Sequence, residues 1–184
     1  MVTHELVSVE SGYSHTQHSR AWGVAARVTD PEMPMLTLAD LGVVRSVTVS
    51  DDDAVAVTIT PTYTGCPAVE EMRSDLRAAL LEAGYRSVEV RTVFSPPWST
   101  DWISEDGRRK LAEAGIAPPA HVGSGGPRRS GPVPLSLGLP SRAVRCPNCG
   151  APATDELSRF GPTACTELRR CPSCSEPFEH MKEI

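Results

Sequence analysis

Four cysteines near the C-terminal end form two Cys-x2-Cys pairs, Cys146 with Cys149 and Cys171 with Cys174, separated by 21 residues. Each pair can form a tight turn that directs two thiolates at one point, and four thiolates complete the tetrahedral coordination of zinc. A segment of about forty residues cannot bury a sufficient core alone, so the metal must supply folding free energy on the order of 10 kcal/mol. The pattern predicts a structural zinc ribbon over residues 142–184. Iron bound by the same four thiolates is the alternative.

The composition narrows the setting in which such a module would work. The chain has 184 residues, six cysteines and a formal net charge of −5. It has no apolar leader and no apolar run of the roughly 20 residues that cross a bilayer, so we expect a cytoplasmic protein with no membrane contact. In that compartment cysteines favour metal binding or reactivity over disulfides. The acidic charge balance argues against a nucleic-acid partner.

Periodicity, proline and glycine divide the chain into four segments. Residues 1–17 are polar and aperiodic, and are expected to form a mobile tail. Residues 18–116 carry strand and helix periods, which predict one α+β domain. Residues 117–141 are rich in proline and glycine without apolar periodicity, which predicts a linker. The zinc ribbon is expected to follow from residue 142.

The α+β domain is expected to be a small sheet with helices packed on one face. Its strands are predicted at residues 43–50, 54–60 and 87–93, and its helices at residues 19–28, 67–83 and 103–114. The first two strands should form an antiparallel pair, and one face of the first should hold Val43, Arg45, Val47 and Val49. Ser99 or Thr100 is expected to cap the last helix.

Cys66 is the residue that the first domain offers for chemistry. It lies in the stretch Gly65-Cys66-Pro67, between a predicted strand and a predicted helix that begins at Pro67. At or beside the N-cap of that helix the thiol would meet unpaired N–H groups and the positive end of the helix dipole, which lower a thiol pKa. The alternative is a small buried residue that fills a turn.

Other side chains are open to two interpretations each. Asp30 and Glu32 are ordinary loop acids or contacts for a metal or a partner, and His180 is a polar surface residue or an additional ligand. Cys165 is outside the zinc spacing, so it is either buried or a second reactive site near the ribbon cysteines. Trp98 and Trp102 are core residues or a contact surface for another protein.

Several of these stretches together resemble a known family. They are Asp30-Pro31-Glu32-Met33-Pro34, Leu41-Gly42-Val43-Val44, Pro61-Thr62-Tyr63-Thr64-Gly65-Cys66-Pro67-Ala68 and Trp98-Ser99-Thr100-Asp101-Trp102-Ile103. In this order they resemble the MIP18 (DUF59) iron–sulfur assembly family. The stretches Phe160-Gly161, Thr163-Ala164-Cys165 and Glu176-Pro177-Phe178 resemble the zinc module that distinguishes the phenylacetyl-CoA oxygenase branch of that family. The resemblance covers residues 18–116 and 142–184.

The resemblance implies a non-catalytic accessory subunit of a phenylacetyl-CoA 1,2-epoxidase system, in aerobic phenylacetate degradation. Its partners would be the di-iron oxygenase and the iron–sulfur flavin reductase, whose metal centres it would help to mature. Cys66 matches the family's reactive cysteine, and Asp30 and Glu32 match its acidic loop. Iron or an iron–sulfur cluster would be held transiently at Cys66, with other ligands from a client or from a second copy of the chain in a homodimer. Relatives often end in Phe-Lys-Cys, whereas this chain has Met181-Lys182-Glu183.

Two further functions fit the same residues. One is a structural adaptor that bridges the oxygenase and the reductase, and the other is a general iron–sulfur carrier with many clients. The sequence contains no Ser–His–Asp set, no Glu-x-x-His pair and no glycine-rich phosphate loop, so no catalytic residue is predicted.

Overall fold

The computed structural model of the protein describes residues 12–121 and 143–183. Its elements, in chain order, are α1 (Gly12–Ala25), β1 (Val44–Val49), β2 (Ala54–Ile59), α2 (Val69–Glu82), β3 (Ser87–Thr92), a 3-10 turn (Thr100–Trp102), α3 (Glu105–Glu113), β4 (Ile116–Ala117), β5 (Asp155–Ser158), β6 (Thr166–Arg170) and β7 (Pro177–Met181). The predicted α+β class is confirmed. The helix α1 begins at Gly12, so residues 12–17, which were expected to belong to the tail, are helical. The rest of that tail lies outside the described residues.

The first sheet has the order β1-β2-β3. The strands β1 and β2 pair antiparallel, as predicted, whereas β3 pairs parallel to β2. The parallel pairing requires a crossover, and α2 provides it by packing on the sheet through the buried side chains of Met72, Leu76 and Leu80. These three residues belong to the apolar stripe that the helical spacing predicts.

The strand β1 does not alternate as the sequence suggests. Its register shifts between Val44 and Ser46, which places a bulge at Arg45. As a result Val44 and Val47 are buried while Arg45 is exposed, so the prediction that Arg45 shares the face of Val47 is wrong. The Arg45 guanidinium lies 3.5 Å from the centre of the Trp102 ring, in a cation–π contact.

The loop of residues 94–102, which carries Trp98 and Trp102 and is here called the tryptophan loop, packs onto the first domain. Trp98 is buried, and its Nε1 donates a hydrogen bond of 2.8 Å to the Leu41 carbonyl. The helix that follows begins at Glu105 and not at residue 103, because Ser104 is its N-cap and accepts a hydrogen bond from the Gly107 N–H. A Cβ at Gly107 would lie 2.9 Å from the Asp40 carbonyl, so only glycine allows this close approach.

The second sheet joins the two halves of the chain. Its order is β4-β7-β6-β5, in which β4 belongs to the first domain and the other strands to the ribbon. Ile116 pairs with Glu179 and Ala117 with His180, in parallel. Ala117 is buried, and the Pro119 carbonyl accepts a hydrogen bond from Arg108. The predicted linker therefore starts too early, since residues 117–119 pack on folded structure. Residues 122–141 lie outside the described residues.

The two halves also share a hydrophobic core. Cys165 and Met181 of the ribbon are buried in the same cluster as the side chains of the first domain, Cys66 among them. A smaller core combines Ala117 of β4 with the ribbon side chains of Val144, Cys146, Cys171 and Phe178. Burial of side chains from both halves in one cluster means that the ribbon is docked on the first domain.

A buried ionic group holds β6 against β7. Glu167 Oε1 lies 2.6 Å from Arg169 Nη1 and 2.9 Å from His180 Nδ1. Burial opposes the charge on Glu167, but the hydrogen bonds from Arg169 and His180 lower its pKa below the usual value. Burial lowers the pKa of His180, since it disfavours the imidazolium. His180 thus has a structural partner, which argues against its use as an additional metal ligand.

We expect Glu167→Gln to lower the stability of the ribbon by about 2 kcal/mol, the scale of hydrogen bonds to charged groups. The substitution keeps the shape of the side chain but leaves the buried Arg169 without its counter-charge. Urea unfolding at fixed zinc concentration measures the change. Glu156→Gln is the matched control, because Glu156 forms only an exposed ion pair with Arg159 and should change stability by less than about 0.5 kcal/mol. Equal effects of the two substitutions would contradict the prediction.

No helix in the described part of the chain is long and apolar enough to span a bilayer.

Candidate functional site

The four cysteines of the two Cys-x2-Cys pairs converge as predicted. All four Sγ atoms lie within 4.8 Å of one another. Cys146 Sγ is 3.8 Å from Cys174 Sγ, and Cys149 Sγ is 3.5 Å from Cys171 Sγ. A tetrahedron with zinc–sulfur bonds of about 2.3 Å has edges of about 3.8 Å, so the separations fit a zinc ion. The residues therefore form a metal centre, in which Cys146, Cys149, Cys171 and Cys174 would hold the ion.

Two similar turns position these thiols. In the first, the Gly150 N–H donates to the Cys146 carbonyl at 2.9 Å, and Gly150 has a φ of 75°. In the second, the Ser175 N–H donates to the Cys171 carbonyl at 2.8 Å, and Ser175 has a φ of 65°. Backbone N–H groups also donate to the sulfur atoms, for example from Cys174 to Cys171. With four thiol ligands the site is closed, which is typical of a structural metal.

The helix after the Cys66 loop begins later than predicted. The helix α2 begins at Val69, with Ala68 as its N-cap, so the predicted start at Pro67 is wrong by two residues, and Cys66, expected at or beside the N-cap, precedes it by two residues. Pro67 and Ala68 form a turn in which the Val69 N–H contacts the Cys66 carbonyl at 3.4 Å. The Cys66 side chain precedes the helix and points into the core, with 8% of its surface exposed.

Burial decides the ionisation of Cys66. Removal from water raises the pKa of the thiol, and hydrogen bonds from the Ala68 N–H and the Tyr63 hydroxyl offset only part of this rise. The prediction of a lowered pKa is therefore wrong, because a thiol in apolar surroundings resists ionisation more than the backbone N–H promotes it. Burial and the neighbouring Cys66 also raise the pKa of Tyr63, to about 12. Both groups are neutral at pH 7.

The acidic loop lies beside this thiol. Asp30 is buried, and its Oδ1 accepts hydrogen bonds from the backbone N–H of Glu32 at 2.9 Å and of Met33 at 2.8 Å. Burial raises the pKa of Asp30, and it raises the pKa of Glu32 together with the repulsion from Asp30. Both carboxyl groups act electrostatically on Cys66 and raise its pKa further. The structure thus brings together the three residues of the first domain that the sequence marks as candidates.

Cys165 joins the same group from the ribbon. It is buried in the cluster that contains Cys66, and its Sγ lies 3.1 Å from Thr163 Oγ1. Burial raises the pKa of Cys165, and so do the charges of Glu32 and Asp30. Cys165 therefore lies near the acidic loop and not at the zinc centre. Spacing within the ribbon could not reveal this position, since it depends on the pairing of β4 with β7.

Cys66, Asp30, Glu32 and Cys165, here called the Cys66 group, do not form a closed metal-binding site. Among the described residues, only the four ribbon cysteines bring three or more ligand atoms within 4.8 Å of one another. The charged groups that act on Cys66 include the carboxyl groups of Asp30 and Glu32. A set of thiol and carboxyl groups attracts a cation, and further ligands would have to come from elsewhere.

A cavity of about 230 Å³ adjoins the same loop. Its lining residues are Thr60, Pro61, Thr62, Tyr63, Thr64, Phe94, Pro97 and Trp98. Phe94 is 57% exposed, and the Thr60 hydroxyl is buried without a hydrogen-bond partner. Tyr63 therefore hydrogen-bonds the Cys66 thiol and also lines a surface cavity with aromatic and hydroxyl side chains.

Comparison with known proteins matches both halves of the chain. The family model "PaaD zinc beta ribbon domain" matches residues 130–182, and the model "Iron-sulfur cluster assembly protein" matches residues 22–91. A protein of Escherichia coli, named as the D component of a "Putative 1,2-phenylacetyl-CoA epoxidase", is 41% identical over 163 residues, which are 89% of this chain and 91% of that protein.

Shorter proteins match the first domain alone. The "Fe-S protein maturation auxiliary factor" of Porphyromonas gingivalis is 35% identical over 85 residues, 46% of this chain and 80% of that protein. The crystal structure of a DUF59 domain from Bacillus anthracis superposes with a TM-score of 0.51 at 26% identity, over 54% of this chain and 95% of that chain. The match to the Escherichia coli protein covers 89% of this chain and therefore includes both the first domain and the ribbon, in the same order. The chain therefore belongs to the PaaD family of phenylacetyl-CoA epoxidase components, in which an iron–sulfur assembly domain of the DUF59 type is followed by a PaaD zinc ribbon.

Proposed function

We propose that this protein is a non-catalytic maturation factor for the metal centres of a phenylacetyl-CoA epoxidase, with Cys66 as the thiol that receives iron or an iron–sulfur cluster. The observation that carries this proposal is the electrostatic interaction of Asp30 and Glu32 with the Cys66 thiol, in a domain whose relatives include a named iron–sulfur maturation factor. The ribbon and the 41% identical relative connect it to the epoxidase.

The chemistry of the loop suits temporary binding. Cys66 is a neutral thiol in the free protein, since burial raises its pKa, and it is therefore protected from oxidation. Iron binding at its Sγ displaces the proton, and the carboxyl groups of Asp30 and Glu32 supply negative charge beside the incoming cation. With one thiol and two nearby acids the group offers fewer ligands than a resident cluster needs, so the cargo can leave for a client that offers more.

The clients are the di-iron oxygenase and the iron–sulfur flavin reductase of the same system. A general carrier for many clients is favoured by one observation, namely the match of the first domain to shorter maturation factors. The two functions differ in client range. Loss of this protein should leave unrelated iron–sulfur enzymes of the same cell active if the client is the epoxidase system alone.

The test is the metal content of the two clients after production with and without this protein. We expect equal amounts of client protein but iron-deficient, inactive oxygenase or reductase in its absence. Clients that were matured beforehand should turn over without it. A stoichiometric requirement for this protein during turnover of mature clients would support a bridging adaptor instead. Full iron content in its absence would reject the maturation role.

Asp30→Asn is expected to raise the stability of the protein and to lower the iron content of its clients. The pKa of Asp30 is higher in the folded than in the unfolded state, so its contribution to stability is complete below about pH 3.8 and is lost as the pH rises through the folded pKa. Asparagine keeps an oxygen for the Glu32 and Met33 N–H groups and removes the buried charge. We expect a gain on the order of 1 kcal/mol or less at pH 7, shrinking as the pH falls toward 4, together with reduced client iron. Thermal unfolding and client metal analysis measure the two effects.

A loss of stability in Asp30→Asn at pH 7 would contradict this account of the loop. Asp101→Asn is a suitable control for the client assay, because Asp101 is an exposed acid of the tryptophan loop, outside the Cys66 group.

A further inference from the structure

The ribbon thiol Cys165 lies close to the Cys66 loop, because it acts electrostatically on Tyr63, which hydrogen-bonds the Cys66 sulfur. Cys165 and Met181 lie in the buried cluster that contains Cys66, with 6% and 1% of their surfaces exposed. Both residues lie at the same end of the paired strands β6 and β7, where the Lys182 N–H donates to the Cys165 carbonyl at 2.9 Å. The last turn before β6 and the end of β7 therefore reach the first domain as one hydrogen-bonded unit.

The backbone pairing of this unit with the first domain is short. The ribbon strand β7 pairs with β4 through two residue pairs, whereas it pairs with β6 through five. The ribbon also has its own metal centre, which supplies folding free energy that does not come from docking. A module held by its own metal and joined through a short strand pairing can leave a surface without complete unfolding.

A thiol that passes cargo to another protein must be reached by that protein's ligands. Cys66 is 8% exposed in the docked arrangement, which leaves no room for a second protein at its sulfur. We propose that the zinc ribbon is a displaceable cover, which shields Cys66 when it is docked and exposes Cys66 and Cys165 together when it swings away. The cover is a property of the fold, and it holds whatever the cargo of Cys66 is.

The first test uses the unaltered zinc-loaded protein and iodoacetamide. Trypsin releases Cys66 and Cys165 in separate peptides, residues 46–73 and 160–169, each with a single cysteine. Alkylation of each thiol is measured by mass spectrometry relative to the denatured protein. A cover that opens as one unit gives the two thiols protection factors that agree within about threefold. Rapid alkylation of Cys66 while Cys165 stays protected would overturn the proposal, since Cys66 would then be exposed by its own loop.

The second test weakens the docking contact. Met181→Glu places a charge in the buried contact, which disfavours the docked state, and Met181→Leu is the matched apolar control. We expect Met181→Glu to accelerate alkylation of both thiols at least tenfold and Met181→Leu to change it less than threefold. One zinc per chain in both variants shows that the ribbon is intact. If Met181→Glu retains zinc and leaves Cys66 as protected as before, the cover is disproved. If it loses zinc, the comparison of the two thiols in the unaltered protein decides.

Discussion

Cys66→Ser is expected to yield a folded protein that no longer supports maturation of its clients. Serine is close to cysteine in size, and its oxygen can accept the hydrogen bonds from Tyr63 and Ala68, so the stability should change by about 1 kcal/mol or less. The hydroxyl does not ionise near pH 7 and is a poor ligand for iron. Co-produced oxygenase and reductase should be present in normal amounts but deficient in iron, with activity reduced to the level found without this protein.

The control for this experiment is Thr64→Ala, an exposed position of the same loop, which should leave client iron unchanged. Adding the unaltered protein to iron-deficient clients after purification should restore activity only when iron and sulfide are also present. If Cys66→Ser supports full maturation, the thiol is a packing residue and the proposed transfer step is wrong.

Cys171→Ser should unfold the ribbon. Three thiolates and a hydroxyl bind zinc far more weakly than four thiolates, and the metal supplies folding free energy on the order of 10 kcal/mol to a module of this kind. We expect loss of zinc and rapid proteolysis of residues 143–183, while hydrogen exchange in the sheet of β1, β2 and β3 remains slow. Zinc analysis and limited proteolysis with mass spectrometry measure both.

Ser173→Ala is the matched control, because Ser173 is exposed between the two cysteines of the second pair and should keep its zinc. Removal of zinc from the unaltered protein by a chelator should reproduce the effect of Cys171→Ser. If the ribbon stays folded after zinc leaves, the docking contact and the Glu167 group stabilise it, and the metal is not required for its fold.

The parts of this structure that depend on local spacing could be predicted from the sequence. The metal centre follows from two Cys-x2-Cys turns, and the buried face of α2 follows from residues three and four apart. The start of α2 was misplaced because Pro67 and Ala68, although suited to a first helical turn, form a separate turn before it. The bulge at Arg45 has no local signal, since it depends on the partner strand.

The wrong prediction for the pKa of Cys66 has a cause that is distant in the sequence. Its loop alone suggests a thiol at a helix terminus with a lowered pKa. The raised pKa results from burial in a core that also contains Cys165 and Met181, about a hundred residues later in the chain. The two-residue strand β4 is too short for a periodic signal, and without it the position of the ribbon could not be inferred.

The pairing of Ile116 with Glu179 and of Ala117 with His180 also limits how this ribbon could be transplanted. A chimaera that fuses residues 143–183 to a shorter assembly domain would carry the zinc centre but leave the outer edge of β7 unpaired. Such an open edge invites pairing with another chain and aggregation. A working chimaera would need Ile116 and Ala117 as a partner strand for β7, together with apolar side chains that bury Met181.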